Sequence, residues 1–140
     1  MIGWLFKNLL TASFFVAALS GSVLAKQQPD GSTPATLAEA RLEAARRAYK
    51  EAMDLYREGR TRDVDRVYLW SKRWLEAQRA LSNKKADQRA ALDAHFKRMR
   101  QLEELIKGRY RAGVAATIEL PAVQFYRLEA EIWLSENDAK

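Results

Sequence analysis

The sequence predicts an all-α fold, an antiparallel helical bundle or coiled coil of three long helices, with four as the alternative. Three observations carry that reading. Apolar residues recur at alternating spacings of three and four, and no stretch shows the period-2 pattern of a strand. Helix stops and starts are spelled at only a few sites, by glycine, aspartate and proline. The chain also repeats itself at an interval of about 54 residues, which predicts two tandem helix–turn–helix units, about 38–82 and 92–136.

Composition narrows the function classes. The chain has 140 residues, 24 Lys and Arg against 18 Asp and Glu, one His and no Cys. Without cysteine there is no disulfide framework, thiolate zinc site or Cys nucleophile. A single histidine leaves no multi-His metal cluster. Glu103 and Glu104 are adjacent and point about 100° apart on a helix, so they do not face each other. Ser71, Ser82 and Ser135 lack a Gly-rich elbow, and no loop is built to cradle phosphate. These features predict a protein that is not an enzyme and needs no metal or cofactor.

Residues 1–25 have the layout of a secretory signal. Lys7 supplies the positive charge, Leu9 to Leu19 the apolar stretch, and Val23-Leu24-Ala25 the small or β-branched cleavage positions. The apolar stretch is shorter than the ~20 residues that span a bilayer. We expect cleavage after Ala25 and export to the periplasm or cell envelope; an uncleaved signal would be the one membrane attachment. Residues 26–34 (KQQPDGSTP) follow as a flexible tether, and the helical domain is expected over 35–136.

Helix 1 is expected to start at Thr36, with Glu39 completing a capping box. Its seam runs through Ala38, Leu42, Ala45, Tyr49, Ala52 and Tyr56, and Gly59 suits the left-handed position past its end. Helix 2 is expected to start near Thr61 or Asp63, with a seam of Val67, Trp70, Trp74, Ala77 and Leu81. Leu92, Phe96, Met99, Leu102 and Ile106 continue that seam eleven residues on, close to three whole turns. Residues 82–91 contain no Gly or Pro, so one continuous helix over 63–111 is the favoured reading; the alternative breaks it at Asn83. Gly113 ends that helix. Pro121 is expected to open the last one, whose broad apolar face holds Ala122, Phe125, Tyr126, Leu128, Ile132 and Trp133, with a fraying tail from Ser135.

Leu55-Tyr56-Arg57-Glu58-Gly59 is matched by Arg109-Tyr110-Arg111-Ala112-Gly113, and an acid follows each glycine by six residues, Asp65 and Glu119. Trp74-Leu75-Glu76-Ala77 answers Arg127-Leu128-Glu129-Ala130. This unit resembles the hairpin-tip segment of TolC-type outer-membrane efflux proteins, in which a helix ends at Tyr-x-Ala-Gly, turns, and restarts at an acid before a long helix. The resemblance covers about residues 49–81 and 103–134. It implies antiparallel helical hairpins in an exported bacterial protein, with tips that dock a partner; without strands for a barrel, the chain is no channel by itself. Tyr56, Gly59, Asp65, Tyr110, Gly113 and Glu119 are the candidate tip residues.

Trp70, Trp74 and Trp133 are candidate core or interface aromatics. Basic residues are interleaved with acids, which argues against nucleic acid despite a pI near 9.7. The densest positive run, Lys84-Lys85, Arg89 and Lys97 to Arg100, would suit an anionic envelope surface. His95 has no second His or Cys at i+3 or i+4 to form a metal site. The expected function is that of an exported helical interaction protein, an accessory of an efflux or envelope assembly. The alternative is a self-associating envelope structural protein or a chaperone-like helical binder of anionic envelope components. The expected partner is therefore another protein or a second copy of the chain.

Overall fold

The computed structural model describes residues 33–139; the expected signal and nearly all of the tether lie outside them. Four helices follow one another: α1 (Pro34–Arg57), α2 (Val64–Arg79), α3 (Lys85–Arg111) and α4 (Glu119–Asp138). Among the described residues there is no strand. α1 packs along α2 and α3 along α4, forming two helical hairpins, and α2 lies against α3 and more lightly against α4. α1 reaches α3 through side chains, such as Arg98 and Arg109 of α3 on Tyr49 and Tyr56.

α1 begins two residues before the expected Thr36. Thr33 is its cap, accepting a hydrogen bond from the Thr36 N–H at 3.2 Å, and Pro34 takes the first helical position, where no N–H is needed. Asp63 caps α2 through the Arg66 N–H at 3.0 Å. α4 starts at Glu119, so Pro121 lies within its first turn instead of opening it; backbone donors there have no helical partner in any case. Its C-terminal turn does not fray from Ser135. The helix runs to Asp138, tied back by Arg89 of α3 at 2.7 Å.

The favoured continuous helix over 63–111 is not the one formed: α2 stops at Arg79 and α3 starts at Lys85. Side chains, not Gly or Pro, make the break. Gln88 donates to the backbone carbonyls of Arg79 (2.7 Å) and Ser82, which a helix end leaves without partners. The Ser82 hydroxyl donates to Asp87 at 2.6 Å and accepts from the Lys84 N–H at 3.2 Å. Local polar side chains thus offer the backbone an alternative to the helical ladder.

All four helices contribute to the main core. Met53 and Tyr56 of α1, Val64 and Val67 of α2, Met99, Leu102 and Ile106 of α3, and Val123 and Ala130 of α4 are buried together. A smaller cluster of Leu75, Ala91 and Leu92 closes the other end, with Trp133 and Leu134 against it. The α1 and α3 seams are buried near the positions their spacing predicts. On α2 Val67 and Ala77 of the expected seam are buried, but Ser71 and Leu75 are buried in place of Trp70 and Trp74. The tryptophans are buried only in part, and Leu81 lies exposed past the helix end.

Candidate interaction site

Gly59 and Gly113 end their helices in the same way. Both have φ of 71°. In the first turn the Gly59 N–H bonds the Tyr56 carbonyl and the Arg60 N–H the Leu55 carbonyl, each at 3.0 Å. In the second the equivalent Gly113–Tyr110 and Val114–Arg109 bonds are both 2.9 Å. These are the paired bonds of a Schellman ending, which needs a left-handed residue at the glycine position.

The break between α2 and α3 brings the two turns to one end of the molecule. Arg109 Nη1 donates to the Tyr56 carbonyl at 3.1 Å, and its guanidinium lies 4.9 Å from the centre of the Tyr56 ring. The Tyr56 hydroxyl, 1% exposed with its residue, faces the Glu119 carboxylate. Burial, reinforced by that carboxylate, pushes the Tyr56 hydroxyl up to about 12. Glu119 in turn accepts from the Ala116 N–H at 2.7 Å and so closes its own turn. Asp65 accepts from the Tyr126 hydroxyl at 2.5 Å, and Tyr68 donates to Glu129. The Tyr68 and Tyr126 rings stack between them, 4.0 Å apart and 10° from parallel. Tyr56, Gly59, Asp65, Gly113 and Glu119 are therefore gathered at one end. Tyr110, the counterpart of Tyr56, is instead 46% exposed.

The tryptophans do not form one site. Trp70 is half-buried under Arg73, 4.6 Å from the guanidinium, and Trp74 packs against both Tyr49 (5.6 Å) and the Arg98 guanidinium (4.0 Å). Trp133 stacks on His95 at 5.8 Å. His95 is fully buried, its Nδ1 2.9 Å from the Ser71 hydroxyl oxygen, which also accepts from Arg98 Nε at 2.8 Å. Burial, with the Arg98 charge beside it, holds the imidazole down at about 4. Ser71 and Arg98 are buried with it, so this polar node lies inside the packing. Arg98, placed by the sequence on a solvated basic run, is 7% exposed; the adjacent Lys97 remains on the surface, paired with Asp93 at 2.6 Å.

α4 is apolar on two faces. Val123, Tyr126, Ala130 and Trp133 face the bundle, as one half of the expected broad face does. The other half points outward, with Phe125 60% exposed, Leu128 48% and Ile132 55%; Ile118, just before the helix and outside the expected face, is 72% exposed and extends the same side. Their spacings of seven, three and four place them in one stripe that starts at the α3–α4 turn. Val114, also in that turn, is 51% exposed. The periodicity alone groups these residues with the core; only the orientation of α4 separates them.

Among the described residues no group of His, Cys, Asp and Glu is placed to hold a metal ion, and no helix is long and apolar enough to cross a membrane. The chain matches no known protein family, curated protein or solved structure.

Proposed function

We propose that the chain is an exported, non-enzymatic helical interaction protein, an accessory of an efflux or envelope assembly that docks a helical partner. One observation carries this reading: the outward stripe of Phe125, Leu128 and Ile132 on α4, extended by Ile118 at its start, beside two helix turns held at one end. Large apolar side chains at heptad spacing on a helix surface are matched by an apolar face of another helix. The likeness to TolC-type hairpin tips supports a coiled-coil partner of the same kind. A photo-crosslinking residue at Phe125 or Ile132, in the native envelope, should capture a helical envelope protein, while one at Lys50 on α1 should not. No adduct at either α4 position, or equal capture at Lys50, overturns the reading.

Self-association is the second reading. Arg127 and Glu131 pair with each other on α4 beside the stripe, so an antiparallel second copy would meet charges of both signs. A dimer of the full chain in size-exclusion with light scattering, dissociated by F125E/I132E, would establish it and displace the first.

A further inference from the structure

We propose that the groove bounded by α1, α2 and α3 binds a small soluble organic oxyanion with an aromatic or apolar body. The groove holds about 620 Å³, within the range of small-molecule sites. Its lining is chemically one-sided. Arg46, Arg47, Lys50, Arg57 and Arg98 meet a single carboxylate there, Asp54. Asp54 lies 3.8 Å from Arg57, and Arg46 turns to Glu43 at 3.0 Å outside the groove. Arg47, Lys50 and Arg98 have no carboxylate within ion-pair distance among the described residues.

Arg98 is the decisive group. A buried guanidinium is usually matched by a carboxylate, because its desolvation is costly without one. Here Nε and Nη2 donate to the Ser71 hydroxyl (2.8 Å) and carbonyl (3.3 Å), which fixes the plane of the fork. The rings of Trp74 and Tyr49 lie 4.0 and 5.6 Å from it. Cation–π contact and the bonds to Ser71 hold the cation in place and leave Nη1 without a hydrogen-bond partner among the described residues. A preorganised fork above apolar aromatic walls, under a rim of unpaired cations, suits an oxyanion whose body lies against Tyr49, Met53 and Trp74.

The probe is 8-anilinonaphthalene-1-sulfonate, titrated into the full chain and followed by fluorescence and calorimetry. One saturable site per chain is expected, weakened by salt, with the uncharged N-phenyl-1-naphthylamine binding at least about tenfold more weakly. R47Q/K50Q, which changes only exposed side chains, should weaken the sulfonate by a similar factor. F125E/I132E should not change it, which separates the groove from the stripe on α4. R98Q should abolish binding if circular dichroism shows it folded; R47Q/K50Q decides the matter if it is not. Equal binding of the uncharged probe, indifference to R47Q/K50Q, or loss on F125E/I132E overturns the proposal. So does binding to phosphatidylglycerol vesicles without binding of the soluble sulfonate, which would make the cations a membrane-facing surface.

Discussion

His95 shows how a single side chain ties this fold to pH. Its imidazole is neutral in the folded chain, where burial holds it at about 4, and titrates near 6.5 when unfolded. Between those values the unfolded chain binds the extra proton, so stability rises with pH across that window. It is fully present above about 6.5 and is lost as pH falls toward 4, by up to about 1.4 kcal/mol per unit. Urea midpoints from pH 4.5 to 7.5 should show that slope in the native protein and a flattened one in H95Q. The glycines divide by conformation. Gly59 and Gly113 sit at φ 71° with nothing within 4 Å of an added Cβ, so Gly→Ala should cost about 1 kcal/mol from backbone strain alone. Gly108 lies inside α3 with equally open surroundings. G108A should therefore stabilise, by about 0.5–1 kcal/mol. Thermal denaturation of the three variants tests both signs.

At the scale of elements, the turn between α2 and α3 decides the architecture. Gln88 occupies the carbonyls of Arg79 and Ser82, and its own Oε1 accepts from Arg79 Nε at 2.5 Å. Q88A removes those partners at an exposed turn and should cost about 1 kcal/mol, read as a lower urea midpoint with unchanged slope. Spin labels at R60C and V114C measure the consequence. A continuous helix over 63–111 would separate the two turns by ~75 Å, from its rise per residue. The contact of Arg109 with the Tyr56 carbonyl instead predicts a small fraction of that distance. A long distance would mean that the α2–α3 turn opens in solution.

For the whole molecule, the balance of buried and exposed apolar surface points outward along α4. The core takes side chains from all four helices, yet three large apolar residues of α4, and Ile118 just before it, remain outside it. F125E/I132E should leave the stability of the monomer within about 0.5 kcal/mol per site, since neither residue packs in the core. The same variant should remove whatever association the stripe supports, seen as a fall in mass by light scattering or loss of the crosslinked adduct. Lost stability with unchanged association would show that the residues serve packing. Charge is spread unevenly as well: the α1–α2–α3 groove carries five cations and one carboxylate. Elsewhere the signs are interleaved, as in Arg66 with Asp63 and Lys107 with Glu104.

By itself the sequence determined the helical class, the seams of α1 and α3, and the two glycine endings, because spacing, capping and positive φ are local properties of the chain. Met99, Leu102 and Ile106 lie where a period of three to four places them, and Gly59 and Gly113 end helices because a left-handed residue is needed there. Three matters were decided only by the tertiary structure. The break at 80–84 depends on Gln88 reaching back across the turn, which residue propensities do not register. The apolar residues of α4 divide into buried and exposed sets because α2 and α3 cover one side of that helix and, among the described residues, nothing covers the other. Arg98 reads as one charge in a basic run until α1 and α2 fold over it. It then becomes a buried cation held by Ser71, Trp74 and Tyr49, since burial is a property of neighbours that lie 24 to 49 residues away in the chain.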